Sequence, residues 1–128
     1  MYNINRTYIF KNVYSNIYIA SKLGIEEDSN HNKVALYDDP VEYKHWNIQY
    51  VKSQSEIMEF GQYAEKMRVA TIPNTPKYAN KFKEFDLAYL DNNNPNGEVI
   101  NGQNANYRIY SVRPQNSIIK VYFLMLNK

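Results

Sequence analysis

Apolar residues along this chain recur at every second position in short runs rich in Tyr, Ile, Val and Phe, and the 3.6-residue period of an amphipathic helix is weak throughout. That alternation predicts strands at residues 7–13, 17–21, 33–37, 45–51, 57–62, 67–72, 84–90, 98–100, 107–112 and 117–126. Between them stand turn-forming clusters: Ser29-Asn30-His31-Asn32, Asp38-Asp39-Pro40, Pro73-Asn74-Thr75-Pro76 and the Asn-rich stretch 91–97. The chain is therefore expected to be all-β, with a sandwich and a closed barrel as the alternatives.

Internal repeats narrow that choice. Residues 10–21 lie without a gap on residues 60–71, and residues 100–111 follow the same pattern: an apolar residue, a spacer, a second apolar residue, then Ile or Val and a hydroxyl. A second triplet, beginning at Lys44-His45-Trp46, Lys83-Glu84-Phe85 and Lys120-Val121-Tyr122, reads Lys, any residue, aromatic, any residue, aliphatic. Alternation places the aromatic and the aliphatic on one strand face, so Trp46, Phe85 and Tyr122, with Ile48, Leu87 and Leu124, are expected to share a core. The two triplets interleave as three tandem units, roughly residues 1–52, 53–91 and 92–128 of a single domain. Three units of about four strands each predict a β-trefoil, a barrel of pseudo-threefold symmetry capped by hairpins. The first unit carries an insertion at residues 23–32 whose Glu26-Glu27-Asp28 run is expected to be a solvated loop.

Composition removes several kinds of chemistry. The 128 residues include no Cys and only two His, His31 and His45, which argues against disulfides, zinc ribbons, thiol nucleophiles and a histidine-based metal centre. No metal or cofactor is expected. The 15 basic and 13 acidic residues are scattered and leave a net charge of +2, so binding driven by nucleic acid or membrane phosphates is not expected. No apolar run reaches a membrane-spanning length and no signal peptide is readable, which suggests a soluble protein, cytoplasmic or released without a standard signal. The 13 Tyr, 5 Phe and 1 Trp supply rings both for a core and for a surface.

The first unit resembles a ricin-type β-trefoil repeat. Tyr8-Ile9-Phe10-Lys11-Asn12 is similar to that family's opening strand, Ile17-Tyr18-Ile19 to its second, Val34-Ala35-Leu36-Tyr37 to its Val-x-Leu-Trp strand, and Lys44-His45-Trp46 stands where Gln-x-Trp belongs. The resemblance implies a lectin-like, non-enzymatic carbohydrate-binding module of the kind that accompanies bacterial toxins and haemagglutinins. In such a module an aromatic ring stacks on the sugar's apolar face while a carboxylate holds vicinal hydroxyls. The family's acidic positions are here Ala20, Ala70 and Tyr110, so all three units lack the carboxylate. The remaining candidate site in the first unit is the Tyr37 ring with Asp38 and Asp39, and Tyr43 and Lys44 close by in sequence; Tyr78 marks a weaker pocket in the second unit.

The expected partner is a glycan or glycoprotein, or a toxin subunit. Two other readings stay open: an assembly protein that self-associates through Tyr and Asn surfaces, and a protease inhibitor presenting Pro73-Asn74-Thr75-Pro76. No catalytic residues are assigned. Asp38 and Asp39 are neighbours whose side chains would leave a strand on opposite faces, which disfavours a glycosidase pair.

Overall fold

The computed structural model describes residues 14–91, 95 and 104–126. The expected strands at 7–13 and 98–100, the ricin-like Tyr8 to Asn12, the first residues of two repeat copies and most of the Asn-rich stretch lie outside the described residues. The elements are β1 (Tyr14–Ala20), β2 (Lys22–Glu27), β3 (Lys33–Tyr37), β4 (Val41–Tyr50), α1 (Gln54–Phe60), a 3-10 helix (Gly61–Lys66), β5 (Met67–Pro73), β6 (Leu87–Tyr89), β7 (Tyr107–Pro114) and β8 (Ile118–Met125). Six strands close an antiparallel barrel in the order β1-β4-β5-β8-β7-β6, and β2 and β3 form a separate hairpin.

Alternation sorts the barrel's side chains into an interior and an outer layer. Ile17, Ile19, Tyr43, Trp46, Ile48, Ala70, Ile72, Ala88, Ile109, Val121 and Phe123 fill the interior. Outside the wall, Met67 and Tyr122 are roofed by Val51, just after β4, and by Phe60 and Ala64 of the helical segment. A third cluster joins Ala20, Leu87, Tyr89 and Ala105, with Tyr18, Tyr37 and Leu126 packed against it. With both faces covered, the short β6 is wholly buried. Asn106 extends the sheet beyond β6, since its side-chain amide both accepts from the Leu90 N–H and donates to the Leu90 carbonyl, each at 2.9 Å.

Strand order overturns the expected β-trefoil. Three equivalent units would pair β5 with β6 and close β8 against β1. Instead β5 runs along β8 from Met67↔Leu124 to Pro73↔Ile118, and β6 pairs with β1 through Tyr18↔Tyr89. Among the described residues only the first unit contributes a hairpin outside the barrel. The aligned repeat positions also face different ways. Ile17 and Ile19 point into the barrel, whereas their counterparts Met67 and Val69 pack under the helical segment. Of the three expected core aromatics, Trp46 is interior, Tyr122 lies in the outer cluster and Phe85 is 50% exposed.

Two local features break the simple period of two. In β4 an extra residue is accommodated opposite Asn16, with His45 at φ 60° and its N–H donated to Asn16 Oδ1, so Tyr43 and Trp46 both reach the interior although they are three apart. In place of the expected strand at 57–62 stands α1. Ser53 is its N-cap: its Oγ accepts from the Glu56 N–H at 3.2 Å while donating to the Glu56 carboxylate at 2.7 Å. The helix stops at Gly61, whose φ of 58° is of the kind glycine adopts without strain. The insertion at 23–32 supplies most of β2 and a turn in which Asp28 accepts from the Asn30 and Asn32 N–H groups. No helix among the described residues is long and apolar enough to cross a membrane.

Candidate functional site

The residues expected to form one sugar site in the first unit are dispersed. Tyr43 is buried in the barrel interior, its ring 5.0 Å from Trp46 and 5.4 Å from Phe82. Tyr37 belongs to the outer cluster with Leu87 and Tyr89, where burial and the nearby Asp86 carboxylate hold its phenol above the usual tyrosine range. Asp38 and Asp39 are exposed in the β3–β4 connection, Asp38 Oδ1 accepting from the Asp39 N–H and the Asp38 N–H bonding to the Ser21 carbonyl. Lys44 is exposed beside the β4 bulge.

Tyr78 lines a cavity of ≈400 Å³. After β5 the chain turns back, with the Thr75 carbonyl accepting from the Tyr78 and Ala79 N–H groups, and Asn80 takes a left-handed φ of 59°. Asn and its relatives tolerate that conformation better than other residues. The turn sets Tyr78 and Phe82 against the end of the barrel core, with their rings 5.9 Å and 5.3 Å from Trp46. Asn74, Asn80 and Lys83 line the same cavity, with Ala79, Val112, Pro114 and Ile119 as its apolar part. Asn74 donates from Nδ2 to the Gln115 carbonyl at 2.7 Å, and its N–H bonds to the Ser117 carbonyl, so Pro73-Asn74-Thr75-Pro76 is tied to the β7–β8 turn. The amide is thereby oriented, with Oδ1 left to accept. The exposed Lys77 sets its ammonium 5.3 Å from the ring centre of the half-buried Tyr78.

Elsewhere two arginines form ion pairs with carboxylates. Arg68 forks onto Asp91 at 2.8 and 3.0 Å, lies over the Tyr50 ring at 4.3 Å and leaves its buried Nε without a partner. Arg113 forks onto Glu59, which holds that carboxyl below the usual range. Tyr122 donates to Glu56; burial first, and the carboxylate second, push its phenol well above the ordinary value. Among the described residues no three His, Asp or Glu side chains gather as a metal site would require. Sequence patterning overlooked Phe82, Asn80 and Lys83 because a turn, with no period of its own, brings them together. No protein family, curated protein or solved structure compared with the chain matches it.

Proposed function

We propose that this protein is a non-enzymatic binding module that takes a neutral, hydroxyl-rich ligand of the carbohydrate class in the Tyr78 cavity. The single observation that carries this is the composition of the cavity's lining: aromatic Tyr78 and Phe82 and apolar Val112, Pro114 and Ile119 together with polar Asn74, Asn80 and Lys83, and no carboxylate. A pyranose presents an apolar C–H face that packs on a ring, and hydroxyls that both donate and accept. Asparagine side chains answer both needs, and Lys83 adds donors. The volume, ≈400 Å³, falls within the usual range for small-ligand sites, about 300–1,000 Å³. The cavity is close to a preformed one, because its floor is continuous with the Trp46 core. Tyr37, Asp38 and Asp39 have no part in it.

A glycan array probed with the purified protein tests this. Binding to a defined set of neutral glycans is expected. It should fall about tenfold or more in Tyr78→Ala and in the exposed-site variant Lys83→Ala, and persist in Tyr37→Ala. Absence of glycan binding, or equal binding by wild type and Lys83→Ala together with Tyr78→Ala, overturns the assignment.

A further inference from the structure

A second cavity, of ≈390 Å³, lies on the outer wall of β7, where Phe85, Arg108, Tyr110, Ser111 and Arg113 meet. Phe85 is the unusual member. Its backbone sits at φ 74°, where an aromatic residue is rarely found, and its ring is 50% exposed. The conformation is imposed from beneath: the Phe85 N–H donates to the Ile109 carbonyl at 2.9 Å, and the next residue, Asp86, is buried and accepts from the Lys22 and Lys83 N–H groups. Folding thus holds an apolar ring out at the surface on a strained, firmly pinned corner, an arrangement that gathers at binding sites.

The charges around that ring are uneven. Arg108 lies over Phe85 at 5.0 Å and over Tyr110 at 5.3 Å, and among the described residues no carboxylate pairs with it, in contrast to Arg68 and Arg113. Lys22 approaches the same Phe85 ring at 5.5 Å. Glu59, which also lines the cavity, is taken up by Arg113, so Glu84 is the remaining acid set against Arg108 and Lys22. Ser111 Oγ accepts from Arg113 Nε at 3.2 Å, which leaves its hydroxyl proton to be donated elsewhere. A guanidinium held on rings keeps its in-plane N–H edge available, and that edge matches a carboxylate or phosphate in bidentate fashion.

We propose that this groove binds small aryl oxyanions, with the ligand ring lying against the exposed part of the Phe85 side chain and the carboxylate or phosphate held by Arg108 and the Ser111 hydroxyl. The site is separate from the Tyr78 cavity and does not depend on it. Amide NMR titration of the labelled protein with benzoate, phenyl phosphate, inorganic phosphate and benzyl alcohol tests the proposal. Benzoate and phenyl phosphate should shift Phe85 and the 108–111 amides saturably, about tenfold more tightly than either the uncharged aryl alcohol or the ring-less phosphate. Arg108→Gln should weaken phenyl phosphate binding about tenfold, while Tyr78→Ala leaves it unchanged. Binding of benzyl alcohol as tight as that of both aryl acids, shifts confined to other residues, or no saturable shift at all overturns the proposal. Comparison of the four ligands on the wild-type chain decides it even where Arg108→Gln does not fold.

Discussion

Asp86 is a buried carboxylate that ties two separate stretches of the chain together. Its carboxylate joins the start of β2, through the Lys22 N–H at 2.9 Å, to the corner before β6, through the Lys83 N–H at 3.0 Å. Burial raises its pKa above the ordinary carboxylate range even though these two donors favour the ionised form. The native state therefore holds its proton more tightly than the unfolded chain does. The contribution of Asp86 to stability is fully present below the unfolded-chain value, about 3.9, and declines as pH rises through the higher native value. Asp86→Asn removes that titration, so the stability difference between wild type and variant should shrink on going from acid to neutral pH and then level off. Urea midpoints for both proteins across this range check it, and a difference that grows with pH would refute it. Individual residues were only partly legible in advance. Trp46 and Ile48 take their expected interior places, but Tyr43 follows them because His45 opens a bulge, and the strict alternation gives no sign of one.

At the scale of elements, strands were legible and the helix was not. Residues 57–62 alternate plausibly, and Ile57, Phe60 and Gly61 carry no strong helical signature. The decisive signal lies just upstream, in Ser53-Gln54-Ser55-Glu56, where the Ser53 hydroxyl caps the Glu56 N–H that a strand would have offered to a neighbour. Its removal has a measurable cost. Ser53→Ala should destabilise the protein by ~1 kcal/mol, the usual size for an N-cap lost to alanine. Because α1 and the 3-10 helix roof Met67 and Tyr122, the loss should also expose that cluster, raising amide exchange at Phe60 and Ala64 ahead of the barrel strands. Ser53→Thr, whose hydroxyl keeps both the acceptor for the Glu56 N–H and the donor to its carboxylate, should recover most of the stability. If Ser53→Ala and Ser53→Thr are equally destabilised, the cap is not what holds this segment helical.

The whole molecule was least legible, because local pattern says which residues face inward but not which strand lies beside which. The Lys-x-aromatic segments suggest threefold symmetry, yet their aromatics occupy three environments: Trp46 the barrel interior, Tyr122 the helix-covered wall and Phe85 the open surface. Pairing is decided by closure over long separations, such as Tyr18↔Tyr89 and Thr71↔Lys120, and no window of sequence contains both partners. The observed order makes a prediction that a threefold barrel does not. Thr71 and Lys120 are direct antiparallel partners on the outer face, where α-carbons stand about 4.5–5.5 Å apart, within reach of a disulfide. The chain has no cysteine, so an introduced pair has no competing thiols. Thr71→Cys with Lys120→Cys should close under mild oxidation into an intramolecular bridge, seen as faster migration on a non-reducing gel. Tyr18→Cys with Lys120→Cys, which would be close only if β8 lay beside β1, should stay reduced. The opposite outcome would restore the threefold order, and it would also detach β6 from β1, and with it the packing of Tyr37 against Leu87 and Tyr89.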